Sequence, residues 1–121
     1  MPKQTITGIG GIFIRAKDPA ALAQWYDDHF GITAMSATNT EPWQQAGGPT
    51  VFAPFEASSD YYPLGQQVML NFRVADLDAM LEQLRAGGVK IDDDRQEADY
   101  GRFAWVYDPE GNKVELWQPL G

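Results

Sequence analysis

The residues best suited to chemistry cluster near the end of the chain. Glu115 lies in the alternating stretch Lys113-Val114-Glu115-Leu116-Trp117, where Lys113, Glu115 and Trp117 share one strand face and Val114 and Leu116 the other. A carboxylate on an aromatic-lined face can hydrogen-bond a ligand, exchange a proton with it, or contribute to a divalent-ion site. Two arginines, Arg15 and Arg73, stand 58 positions apart in similar surroundings, Phe13-Ile14-Arg15-Ala16-Lys17-Asp18 and Asn71-Phe72-Arg73-Val74-Ala75-Asp76. Each is able to grip a carboxylate or phosphate with its bidentate fork, or to pair with an acidic residue on a neighbouring strand. The chain has 1 His and no Cys. This composition excludes thiolate zinc, iron–sulfur clusters, disulfides, a cysteine nucleophile and any site needing two imidazoles from one chain. The single histidine, His29, falls late in a helical pattern and reads as a helix-end residue. No nucleophile-elbow pattern surrounds a serine. Gly8-Ile9-Gly10-Gly11 precedes a strand pattern, whereas a dinucleotide loop follows one and opens a helix.

The elements that must position these residues repeat once. Asp18 and Asp76 keep the 58-residue offset, Ala21-Leu22 matches Ala79-Met80, and each copy closes on glycine, Gly31 and Gly88. Residues 11–16 and 68–74 alternate as strands. Asp18-Pro19 then gives a helix cap with proline at the first helical position, followed by Leu22, Trp25, Tyr26 and Phe30 at helical spacing. In the second copy Asp76 caps, and Leu77, Met80, Leu81 and Leu84 form the apolar stripe. Residues 103–107 and 113–117 read as two strands joined by Asp108-Pro109-Glu110-Gly111-Asn112, a type I turn with a bulge. Residues 50–55 read as a further strand, and 33–48 and 56–66 as loop-rich. Asp92-Asp93-Asp94 reads as a solvated turn, and Tyr100-Gly101-Arg102 as either a bend leading into a strand or a loop over a cavity mouth. Trp43, Tyr61 and Tyr62 lie in loops and need an apolar home, over a cleft or at a subunit interface.

Composition sets the outer bounds. The chain has 121 residues, 44% of them hydrophobic, enough for one globular domain. Nine basic against 17 acidic residues give a net charge of −8, which argues against nucleic acid or an anionic membrane as partner. No apolar run reaches membrane-spanning length and the start lacks a secretory core, so a cytoplasmic location is expected.

Together these segments resemble the vicinal oxygen chelate superfamily, which includes glyoxalase I, extradiol dioxygenases, and bleomycin and fosfomycin resistance proteins. The resemblance rests on the two strand–helix units 13–31 and 71–88, and above all on Asp108-Pro109-Glu110-Gly111-Asn112-Lys113-Val114-Glu115-Leu116-Trp117. It implies an α+β fold in which two tandem βαβββ modules, about residues 5–58 and 66–121 of a single 1–121 domain, form a curved mixed sheet around a cleft. It also implies a homodimer. Metalloenzymes of this family take four ligands from four strands. Here those positions fall on Gly11, on or near Phe52 with Glu56 a less well-placed substitute, on Met69 and on Glu115, so only Glu115 matches and no metal or other cofactor is expected. If ligand positions face the cup, the residues sharing their faces face it too: Phe13, Arg15, Met69, Asn71, Arg73, Lys113, Glu115 and Trp117, and the aromatic face of Phe103, Trp105 and Tyr107 is a further candidate wall. The aromatic members read equally as ligand wall or as core.

The resulting expectation is a metal-free binder of a small aromatic or oxygenated molecule. The alternative is an enzyme of lyase, isomerase or dioxygenase type, using Glu115 as base or as part of a divalent-metal site. A third reading is a partner-binding module whose cup is filled by its own side chains.

Overall fold

The computed structural model describes residues 3–36 and 38–120; Met1, Pro2, Ala37 and Gly121 lie outside the described residues. Helix α1 spans Pro19–Phe30. Its first turn is closed by the Asp18 carboxylate, which accepts from the Ala21 N–H at 3.1 Å, and Gly31 ends it with φ +71°. Positive φ is strained for residues with a Cβ, so glycine is the natural stop. Strand β1 (Leu70–Arg73) leads to α2 (Leu77–Ala86), then β2 (Lys90–Ala98), β3 (Gly101–Tyr107) and β4 (Lys113–Pro119). Asp76 caps α2 as Asp18 caps α1, accepting from the Ala79 N–H at 3.0 Å. The 58-residue repeat is therefore a repeat of helix starts. Gln118 adds a second cap from the sheet, its Oε1 accepting from the Leu77 N–H at 2.8 Å.

The sheet order is β1-β4-β3-β2, with β1 parallel to β4 and the other pairs antiparallel. One face carries Leu70, Phe72, Ala104, Val106, Val114 and Leu116, as the register of β1, β4 and β3 requires. Helix α2 lies on it, packing Leu77, Leu81 and Leu84 against Ala104, Val106, Val114 and Leu116 to make the buried core. Helix α1 flanks β1 through ring contacts of Tyr26 and Phe30 with Phe72.

The tail turn fastens α1 to the sheet. Asp108, only 5% exposed, accepts from the Glu110 N–H, the Asn112 N–H, the Asn112 amide and the Tyr26 hydroxyl, all between 2.8 and 3.0 Å. Glu110 then accepts from the Lys17 and Asp18 N–H groups at 3.0 and 3.1 Å. The Asp-Pro-Glu-Gly-Asn motif is thus both a hairpin turn and the clasp for the start of α1.

Two expectations need correction. Among the described residues no strand precedes Leu70, so the segments 11–16 and 50–55 are not strands within the single chain. A strand exists by pairing, and alternation alone supplies no hydrogen-bond partner. Phe13 and Phe52 are accordingly 95% and 90% exposed. The triplet Asp92–Asp94 is not a turn but part of β2, at a register shift between Ile91 and Arg95. The stretch Lys90–Ala98 has no apolar alternation, and its pairing comes from β3 alone. Of the two readings of Tyr100-Gly101-Arg102, the bend leading into a strand holds: Gly101 and Arg102 open β3, and Arg102 holds Glu97 and Asp78 on the helix side.

Candidate functional site

The face opposite α2 carries the chemistry. The register sets Asn71 beside Glu115 and Glu115 beside Trp105, then Arg73 beside Trp117 and Trp117 beside Phe103, with Tyr107 beside Lys113. Side chains at paired positions point to the same side of a sheet, so the alternation of three strands converges on one surface.

Glu115 stands at its centre, 8% exposed. Its Oε1 accepts from the Asn71 amide at 2.6 Å, and its Oε2 accepts from the Trp105 indole N–H at 2.9 Å and the Tyr61 hydroxyl at 2.5 Å. Three donors thus hold one buried carboxylate, as desolvation of a charge demands. The Lys113 ammonium lies 5.3 Å from the centres of both the Tyr61 and Trp105 rings and donates to the Tyr61 carbonyl at 2.7 Å. Gln66 secures the same loop. Its side-chain amide accepts from the Lys113 N–H and donates to the Lys113 carbonyl, both at 2.8 Å, replacing a strand at the start of β4.

Beside this cluster Phe103 and Trp117 lie parallel, centroids 6.0 Å apart and 2° between planes, with Tyr100 edge-on to Phe103. Gly101 permits the arrangement. It has φ +150°, and a Cβ there would collide with the Trp117 indole nitrogen and stand 2.7 Å from the Gln118 carbonyl oxygen. Tyr107 donates to Asp92 at 2.6 Å, which binds the bulged part of β2 to β3. A cavity of about 210 Å³ runs along the β1 edge, touching Phe30, Trp43, Asn71, Arg73 and Met80.

The structure therefore brings Asn71, Phe103, Trp105, Tyr107, Glu115 and Trp117 onto one face, as their alternation predicts. Arg73 shares the face, but its guanidinium is spent on the backbone, donating to the Pro49 carbonyl at 2.5 Å and the Ala46 carbonyl at 2.9 Å. Met69 is half-buried just before β1. Phe13 and Arg15 are exposed and take no part in the Glu115 cluster, and Arg15 makes no salt bridge among the described residues. His29 packs against the Trp25 ring in the last turn of α1. Sequence reasoning missed Tyr61 and Gln66 as partners of Glu115 and Lys113. The available signal was an aromatic pair stranded in a polar loop, which asks for a cover over apolar surface without saying where.

The donor set around Glu115 does not fit a divalent ion. A facial site needs several anionic or imidazole ligands, and here one carboxylate is ringed by an indole N–H, an amide and a phenol that direct protons at it. Among the described residues no three His, Cys, Asp or Glu side chains are grouped to hold a metal.

Three phenols are held above their ordinary range. Burial, then Asp108, raises Tyr26; burial, then Glu115, raises Tyr61; and the hydrogen bond to Asp92, with burial, pushes Tyr107 up to about 12. A value raised on folding means stability that is whole below the unfolded phenol value of 10.0 and is lost as pH climbs past it. Thermal melts should show a constant midpoint up to about pH 9.5 and a steady fall between about 10 and 12. A midpoint level to pH 12 would contradict the three assignments.

A sequence profile described as the Glyoxalase/Bleomycin resistance protein/Dioxygenase superfamily matches residues 8–116. No curated protein matches the chain. Among solved structures it is similar to TnmS3, an antibiotic-binding protein from Streptomyces sp. CB03234, at 24% identity and TM-score 0.65, covering 98% of this chain and 100% of that one. It is similar to a superfamily member from Sphaerobacter thermophilus DSM 20745 at 18% identity and TM-score 0.61, covering 93% and 98%. TioX from Micromonospora sp. ML1 follows at 19% identity and TM-score 0.53, covering 87% and 93%. At these identities the structural neighbours speak for the fold alone, while the profile spans nearly the whole chain. The chain belongs to the glyoxalase/bleomycin resistance protein/dioxygenase superfamily.

Proposed function

We propose that this protein binds a small, flat aromatic or oxygenated molecule in its cup, without a metal and without turnover. One observation carries the reading: a parallel Phe103–Trp117 pair and Trp105 share a face with a single buried carboxylate, giving stacking surface with one polar anchor. The donor set at Glu115 supports a metal-free site. Both of its oxygens already accept hydrogen bonds, which suits recognition better than proton transfer. The structural neighbour TnmS3, described as antibiotic-binding, supports a small-molecule ligand.

The same proposal includes a homodimer. Ile6, Phe13, Val51 and Phe52 are all at least 70% exposed in segments that lack a pairing strand, and a second copy is the economical cover for them. Light scattering on chelator-treated protein should give twice 13.5 kDa. Calorimetric titration of that sample with planar aromatic probes should show one site per chain. Trp105→Ala should weaken binding at least about tenfold, the scale of one lost aromatic contact with its hydrogen bond. Binding that appears only after a divalent ion is added, or that ignores Trp105→Ala, would sink the metal-free cup. A monomeric mass would sink the dimer.

A further inference from the structure

The centre of the cup is filled from within the chain. Tyr61 comes from the connection between the two halves of the sequence, a stretch with neither helix nor strand, and not from the sheet that builds the cup. Its phenol does what a bound aromatic would do there. The hydroxyl donates to Glu115, the ring stands edge-on to Trp105 with centroids 6.0 Å apart, and the Lys113 ammonium lies over the ring face. The hold on it is modest. Glu115 and Lys113 anchor it from the sheet, Phe55 touches it edge-on, and the ring remains only half-buried. Gln66 pins the loop at its far end, next to the start of β4, leaving the segment before it joined to the sheet mainly through Tyr61 itself. The cavity along β1 shares Asn71 with the cluster, so space lies beside one of the partners of the carboxylate.

We infer that Tyr61 stands in for the ligand: its phenol, bonded to Glu115 beside Trp105 and under Lys113, marks the position of a ligand's own ring hydroxyl, so the cup takes hydroxylated aromatic molecules that displace the Tyr61 loop. This deepens the reading proposed above and rests on it. The chemistry selects a donor, because Glu115 is an acceptor only and loses one of its three hydrogen bonds when Tyr61 leaves. An ether or unsubstituted ring in the same place would leave that oxygen with the Trp105 N–H alone as donor. An electron-rich ring is favoured too, since it inherits the ammonium contact.

The test uses the whole protein with 2-naphthol and, as its non-donating counterpart, 2-methoxynaphthalene. Calorimetric affinities are compared for wild type, Tyr61→Phe and Tyr61→Ala. The conservative Tyr61→Phe variant keeps the ring and removes only the hydroxyl that competes for Glu115. It should bind 2-naphthol about tenfold more tightly than wild type, the worth of one hydrogen bond to a charged acceptor, and Tyr61→Ala at least as much. Affinity for 2-methoxynaphthalene should rise by a similar factor in Tyr61→Phe, since any ligand that displaces Tyr61 is spared the same bond, but it should stay about tenfold weaker than that for 2-naphthol in all three proteins. No preference for 2-naphthol over 2-methoxynaphthalene in any of the three proteins, or no gain for 2-naphthol in either variant, overturns the inference while leaving the aromatic cup standing. If neither probe binds any of the three proteins, the aromatic cup falls with it.

Discussion

Glu115→Ala should lower stability by about 3 kcal/mol, because it strands three donors at once and each buried unsatisfied donor costs about 1–3 kcal/mol. The Trp105 indole N–H is buried and cannot turn to water, and the Tyr61 hydroxyl and Asn71 amide would compete for what solvent reaches them. In a chain of this size that loss is about 10 °C in melting temperature. Glu115→Gln should cost far less, about 1 kcal/mol. Its carbonyl oxygen continues to accept from Trp105 and Tyr61, and its new N–H₂ faces Asn71, whose amide presents its oxygen after a half-turn. Charge is lost but every hydrogen bond is kept. Thermal unfolding of the two variants side by side checks this. Equal losses would mean that the charge, not donor satisfaction, holds the cluster together. Two small losses would mean that the carboxylate is dispensable to the fold.

Asp108→Ala should be the most damaging single change outside the helix-facing core, at about 3–4 kcal/mol. The substitution removes the acceptor for two backbone N–H groups of its own turn, for the Asn112 amide and for Tyr26, in a position that is 5% exposed. The turn slackens and α1 loses its polar tie to the sheet, since Tyr26 lies on the far side of an 82-residue separation. Tyr26→Phe isolates the second effect. It keeps the ring against Phe72 and leaves Asp108 with its three turn donors, so about 1 kcal/mol is expected. Denaturant unfolding should show an additive shortfall in the double variant, because the shared hydrogen bond is counted only once. Full additivity would show that the Tyr26–Asp108 contact contributes nothing.

Both sites were partly legible. The Asp-Pro-Glu-Gly-Asn turn announces itself through residues that favour each turn position, and the structure adds that the same aspartate and glutamate reach α1. Glu115 was singled out by its place among aromatics on an alternating strand, and Trp105 and Asn71 by theirs. Their contact with Glu115 follows once the register is known. Arg73 shows the opposite outcome. Its match with Arg15 suggested a common role, yet Arg73 holds carbonyls of the 46–49 segment while Arg15 is exposed. The repeat preserved helix starts, which are local, and not the company an arginine keeps.

By itself, the amino-acid sequence determined the two helices with their aspartate caps, the tail hairpin, and the division of β3 and β4 into a core face and a cup face. Each of these is set by neighbours within a few residues, through side-chain period, cap hydrogen bonds and turn dihedrals. The tertiary structure alone decided that β2 is a strand, that 11–16 and 50–55 find no partner in one chain, and that Tyr61 reaches Glu115 across 54 positions. Pairing and burial depend on what the folded chain brings alongside, and a loop tyrosine carries no periodic pattern to say which carboxylate it will meet.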